Sequence, residues 1–461
     1  MFLNDSETLS NVDPRAFVEE HGITTFKVGA VDIDGLWRGK RIAAPYFLES
    51  VASKGTNICN ILFGWDLQDE PISGLTYTGY QSGYPDVTLV PDLSTLKLVP
   101  WEPGTASVIC DIHSVDGSPL ELSPRQLLRR VLAQAEQAGF TAQCGYELEF
   151  YLLKGTADEL AARRFRDLEP FSRGNHTYSI FRDTASEHVL REIREQLAAY
   201  GIYIEASNSE HGPGQFEINM RYCDALHAAD SAMLLKHSVK EIAAQHGYTA
   251  SFIAKLNQDW DGSSGHLHQS LVTTADGSVA FANAEDEVSL SAVGNAYMAG
   301  VIDLAKEMTA LYLPTVNSYK RIAGTAWAGS SATWGFDNRT VALRAIPGAG
   351  ASARIENRIA GADANPHLVI AASLAAGLHG IAKGLTPPPP IVGNGYAQVT
   401  AETKLPHTLD EATRALAASN TVRALLGAGF VDHFVETRKW ELQQFMGAVT
   451  DWEIARYLEH V

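Results

Sequence analysis

The chain has 461 residues, 45% of them hydrophobic and 20% charged, enough for a large core and more than one ordinary domain needs. Its 54 acidic against 36 basic residues leave a formal net charge of -18, which argues against nucleic acid or an anionic membrane as a partner. The opening "MFLNDSETLSNVDPRAF" lacks a basic region followed by an apolar core, and no apolar run approaches a membrane span. Cys59, Cys110, Cys144 and Cys223 lack zinc-type or disulfide-framework spacing, so a cytoplasmic protein is expected.

Residues 25–100 read as short strands and turns, with "VDIDGLWRGKRI" placing a turn at Asp34 and Gly35 between two strand-like runs. The pattern changes at "LSPRQLLRRVLAQAEQAGF". Ser123 suits an N-cap, Pro124 the first helical position and Gly139 the stop, with Leu127, Leu128, Val131, Leu132 and Ala135 as one apolar stripe. A boundary near residue 115 is expected, dividing 1–115 from 116–461. Beyond it, helical stretches near 186–200, 225–246, 287–312 and 366–384 alternate with strand-like runs, as in an α+β domain. "LTPPPPIVGNG", at 385–395, reads as an ordered surface loop before C-terminal helices.

In "GYELEFYLL", 145–153, alternation puts Tyr146, Leu148 and Phe150 on one face of a strand and Glu147, Glu149 and Tyr151 on the other. A solvated outer face would accept such a pair of acids, and so would a hard divalent cation. Three further stretches favour the cation. In "NSEHGPGQFEINM", Glu210 and Glu217 flank a sharp turn, with His211 read as a turn residue rather than a ligand. "DGSSGHLHQSL" as a strand sets His266, His268 and Ser270 on one face, and "SARIENRIA" does the same for Arg354, Glu356 and Arg358. One concave sheet carrying these faces gathers carboxylates, imidazoles and guanidiniums, a combination suited to phosphoryl transfer. No GxxxxGK[ST] loop, no GxGxxG after a strand and no GxSxG elbow occurs, so a nucleotide must be held by another architecture.

With "GSSGHLHQSL", "NSYKRIAG", "DNRTVALRAIP" and "ARIENRIAGADANPHL", these segments resemble, in order and spacing, the signature segments of the glutamine synthetase family across essentially the whole chain. The resemblance implies a β-grasp-like N-terminal domain and a catalytic domain with a curved antiparallel sheet surrounded by helices. It implies one Mg²⁺ or Mn²⁺ at Glu149, Glu210 and Glu217 and a second at Glu147, His266 and Glu356. Glutamate would bind next to Gly262 and through Arg321 and Arg358, with Arg339 on phosphate and Arg344, His268 and Ser270 on the nucleotide side. ATP and L-glutamate would form γ-glutamyl phosphate, which an amine converts to an amide. A double-ring dodecamer, with each site completed by a neighbour's N-terminal domain, is also implied.

Three departures from the family pattern bear on the amine. Ammonium-using members place a Glu after "NSYKR" where "RIAGTAWAGS" here puts Trp327, and an indole cannot act as a base but attracts an alkylammonium. The family's Asp-Gly-Ser-Ser segment corresponds to "LFGWDLQDE", where Asp66 is the first and Asp69 the second candidate for deprotonating the amine, and Trp65 is a candidate for the amine pocket. Asp261 replaces an Asn, facing either the α-ammonium of glutamate or a cationic amine. Around Tyr396 the context of an adenylylated tyrosine is missing. The reading is a γ-glutamylamide synthetase for a small monoamine such as ethanolamine. A polyamine, ammonium itself and a non-catalytic sensor are the alternatives.

Overall fold

The computed structural model describes residues 13–323 and 327–461; most of the opening segment, and residues 324–326 of the "RIAGTAWAGS" run, lie outside the described residues. No helix among the described residues is long and apolar enough to cross a membrane.

The expected hairpin joins β1 (Thr25–Val31) to β2 (Trp37–Ala43) in an antiparallel pair. Asp32 Oδ1 accepts the backbone N–H groups of Asp34 and Leu36 at 3.0 and 2.8 Å, and Gly35 takes the left-handed φ of 84° that closes the turn. With β3 (Thr56–Cys59), β4 (Asp86–Pro91), β5 (Lys97–Leu98) and β6 (Thr105–His113), these strands form a six-stranded sheet in the order β2-β1-β6-β4-β3, β5 pairing with β6. Its β1–β6 pair is parallel.

The second sheet is built on β7 (Phe140–Lys154), a 15-residue strand. It pairs with β9 (Gln215–Met220), β10 (Cys223–Asp224), β11 (Tyr248–Ser251) and β12 (Gly265–Thr273). Strands β8 (Ile204–Ser209), β13 (Trp334–Phe336), β14 (Leu343–Ile346) and β15 (Arg354–Asn357) complete nine strands in the order β13-β14-β15-β12-β7-β9-β8. All these pairs are antiparallel except β13–β14. Tyr146, Leu148 and Phe150 are buried in the core, as alternation requires. Behind β7 lie the helices Pro124–Gln137 and Ala225–Gln245, on which Pro366–Lys383 packs in turn.

Helix expectations need three corrections. Ser123 stands at the N-cap of Pro124–Gln137 but its side chain makes no capping bond. The stretch near 186–200 begins earlier, at Ile180, because Ser179 supplies the cap and its first turns expose Ile180 and Phe181, leaving no apolar period to read. The stretch 287–312 is two helices, Ala292–Asp303 and Ala305–Tyr312, because Ser291 caps the first and Leu304 interrupts the run. Residues 386–394 are loop, as expected, and helices follow from Leu409.

Arg125 joins the two sheets. Only 1% exposed, it donates to Asp92 and Asp111 of the N-terminal sheet region and to Asp230 on the helix Ala225–Gln245. Buried His367 approaches the same Asp230 at 2.8 Å.

Candidate active site

The open face of the second sheet carries the expected residues. Register makes Asn219, Glu147 and His266 neighbours across β9, β7 and β12, and sets Glu149 opposite Glu217. On the far side, His268 and Arg344 are both register partners of Glu356. A cavity of about 690 Å³ opens above this face, lined by Glu147, Glu149, Glu210, Glu217 and His266 as well as by Asp261, Gly262, Arg321, Arg339, Arg344 and Arg358.

Among the described residues, two sets of ligand atoms lie within 4.8 Å of one another: Glu147, His266 and Glu356, and Glu149, Glu217 and His266. The first brings together the three residues expected to hold the second metal. In the other, His266 stands with Glu149 and Glu217, the two acids expected together with Glu210. Glu210 lines the same cavity, its carboxylate accepting from Asn208 at 2.9 Å. Burial, then the charge of Glu210, pushes Glu149 up to about 7. Burial and Glu217 push Glu210 to about 7, and burial with Glu147 and Glu149 pushes Glu217 to about 8. Such mutual repulsion is what a divalent cation relieves. Glu147 goes the other way: burial would raise it, but bonds with His266 and His268 hold it well below the usual range. Buried His266 Nε2 has no hydrogen-bond partner among the described residues, and burial followed by Arg358 lowers the imidazole to about 4, so it offers a neutral ring nitrogen. Carboxylate oxygens with one neutral imidazole fit Mg²⁺ or Mn²⁺.

The guanidiniums surround these acids. Arg358 pairs with Glu356, which is fully buried, and Arg344 Nη1 reaches its second oxygen at 2.8 Å. Arg321, 1% exposed, donates to Ser264 Oγ at 2.9 Å and to the Ile359 carbonyl at 2.8 Å. Gly262 is required beneath it, because a Cβ there would sit 2.5 Å from Arg321 Cγ. Arg339 is exposed at the cavity wall. His268 and Ser270 line instead a second cavity of about 450 Å³, with Tyr222 and Arg354. Glu147 and Asn219 border both cavities.

Asp261 approaches His211 Nδ1 at 2.6 Å, so the turn residue is also an acid's partner. Trp327 lines the cavity with φ of 76°. Asp66 and Trp65 do not line it: Asp66 Oδ2 accepts from Trp440 Nε1 at 2.9 Å, and Trp65 lies under the Arg38 guanidinium at 4.9 Å. Asp69 pairs with Arg38 at 2.7 Å.

Gln215 was missed. Buried, it donates to Glu149 Oε2 at 3.3 Å and to the Gly262 carbonyl at 2.9 Å, tying a carboxylate to the loop beside Arg321. Asn219 was missed too, donating to Glu217 Oε1 at 3.1 Å. Both were available from alternation in "QFEIN", which puts them on the face of Glu217.

Known proteins resemble this chain along most of its length. A family model described as glutamine synthetase, catalytic domain, matches residues 121–457. A glutamate–isopropylamine ligase of a Pseudomonas species is 51% identical over 447 residues, covering 96% of this chain and 97% of its own. Gamma-glutamylethanolamide synthetase of Streptomyces coelicolor is 39% identical over 446 residues, covering 97% and 95%. The solved structure of a GmaS–ADP complex superposes with a TM-score of 0.85 at 30% identity, over 97% of this chain and 100% of that one. The chain belongs to the glutamine synthetase family.

Proposed function

We propose that this ATP-dependent ligase joins the γ-carboxylate of L-glutamate to a small primary monoamine. The carboxylate oxygen attacks the γ-phosphorus of ATP and ADP leaves; the neutral amine nitrogen then attacks the acyl carbon, the C–O bond to phosphate breaks, phosphate leaves, and the nitrogen gives up one of its two protons to a base. Arg339 and Arg344 would stabilise the transferring phosphoryl group, and Arg321, Arg358 and the backbone at Gly262 would orient glutamate. Mg²⁺ or Mn²⁺ held by Glu149, Glu217, His266, Glu147 and Glu356, with Glu210 alongside, would offset negative charge on the phosphates.

The observation that carries the amine reading is Trp327 at the cavity wall, where a carboxylate would suit ammonium. An indole attracts an alkylammonium and packs on carbon. Two relatives named for isopropylamine and ethanolamide synthesis support a short carbon chain over a polyamine. Four free cysteines support a cytoplasmic setting. The position of Asp66 and Trp65 away from this chain's cavity supports a ring in which one subunit's N-terminal domain, with its boundary near residue 115, completes the next subunit's site. A dodecamer is then expected by light scattering.

The test is phosphate release with ATP, glutamate and Mg²⁺ across ammonium, methylamine, ethanolamine, isopropylamine, putrescine and spermine, with the product identified by mass. A γ-glutamyl monoalkylamide as best product supports the reading. Glutamine as best product returns the protein to ammonium chemistry, and no ADP with any amine to a sensor.

A further inference from the structure

Trp327 is bulky and yet holds φ at 76°, a strained left-handed conformation that side chains rarely adopt. Such a conformation persists only where its surroundings impose it. Both peptide groups of Trp327 are gripped. Its backbone N–H donates to the Tyr396 hydroxyl, and its carbonyl accepts from Arg358 Nη2 at 3.4 Å. Arg358 is itself held by its ion pair with buried Glu356.

Tyr396 sits on a turn held by hydrogen bonds. The turn Gly395–Gln398 opens with Asn394, whose side chain accepts the Tyr396 backbone N–H at 3.0 Å. The Gly395 backbone N–H donates to Thr340 Oγ1 at 2.8 Å, and Asn338 Nδ2 donates to the Gly393 carbonyl at 2.9 Å. A Cβ at Gly395 would meet the Thr340 carbonyl oxygen at 2.5 Å, so this segment lies directly on the loop that carries Arg339. Burial raises the Tyr396 phenol above its ordinary value, so the hydroxyl stays protonated and neutral.

We infer that Tyr396 is a positioning residue for the amine step: its hydroxyl latches the Trp327 backbone in the left-handed conformation that aims the indole at the cavity wall. This rests on reading Trp327 as the residue that meets the amine. The latch also couples the amine wall to the loop bearing Arg339, because one turn is bonded to both. Tyr396 contacts no substrate in this scheme and acts only through Trp327.

The experiment is a double-mutant cycle on the full-length enzyme with Mg²⁺, ATP and glutamate, using Tyr396→Phe, Trp327→Gly and the pair. Tyr396→Phe removes one hydrogen bond and is expected to raise KM for the best amine roughly three- to tenfold, with KM for ATP and glutamate changing less than about twofold. Glycine is at home at this φ, so in the Trp327→Gly background Tyr396→Phe should change amine KM and amine-over-ammonium preference by less than about twofold. An equal effect of Tyr396→Phe in both backgrounds overturns the latch, as does a uniform rise in all three KM values. If wild-type enzyme makes only glutamine, the amine reading fails, and the same cycle read on the KM for ammonium still decides the latch.

Discussion

Glu149, Glu210 and Glu217 share one cavity wall, and their folded-state values of about 7, 7 and 8 lie above the ordinary glutamate value near 4.3. Groups raised on folding favour the native state fully below the unfolded value, and that contribution is lost as pH rises through the folded one. Metal-free protein should therefore lose thermal stability between about pH 5 and 8. Mg²⁺ must displace protons at low pH and meets ready carboxylates at high pH, so the Tm gain on adding it should be larger at pH 8 than at pH 6. The reverse trend by scanning calorimetry would show that the acids are not crowded. Glu149→Ala should reduce metal-dependent ADP formation by more than about a hundredfold while the metal-free protein stays folded. At the cavity wall, Trp327→Glu should bring measurable glutamine formation from ammonium; no gain would place the choice of nucleophile elsewhere. Alternation put Glu147 with Glu149, and His266 with His268, each pair on one face of its strand, because sharing a face is a local property. It could not show His266 serving both sets of acids, which depends on cross-strand register.

At the scale of elements, the helices Ala292–Asp303 and Pro366–Lys383 cross at glycines. A Cβ on Gly300 would lie 2.1 Å from the Ala376 carbonyl oxygen, and one on Gly380 the same distance from that of Ala296. The backbones touch, so Gly300→Ala should cost about 1–3 kcal/mol by overpacking, measured as a lower denaturation midpoint; an unchanged midpoint would mean that the crossing relaxes freely. Neither glycine was legible as a packing residue, since a helical glycine looks the same in sequence whether it faces a partner or solvent. The strands of the site were better marked. In "EHGPGQFE" the turn between β8 and β9 coincides with the Gly and Pro that announce it, and β12 follows the alternation of "GHLHQSL" residue by residue. Arg358 departs slightly: β15 ends at Asn357, and the Arg358 backbone instead donates to the Ala342 carbonyl at 2.9 Å.

For the whole molecule, the buried cluster of Arg125, Asp92, Asp111, Asp230 and His367 ties the N-terminal sheet to the helices behind the catalytic one. Arg125→Ala leaves Asp92 and Asp111 to the more exposed Arg129 and Asp230 to His367 alone, and a loss of about 3–5 kcal/mol in stability is expected. An ordinary Tm for that variant would mean that water enters and screens the acids. The sequence by itself determined the class of chemistry, because pleat alternation and Gly-Pro turns act within a few residues and dictate which side chains share a face. Only the tertiary structure decided that His266 stands between two sets of carboxylates, that Glu210 stands beside them, that His268 opens a second cavity, and that Tyr396 reaches Trp327. Those outcomes depend on register and on contacts between residues far apart in the chain, which no local period encodes.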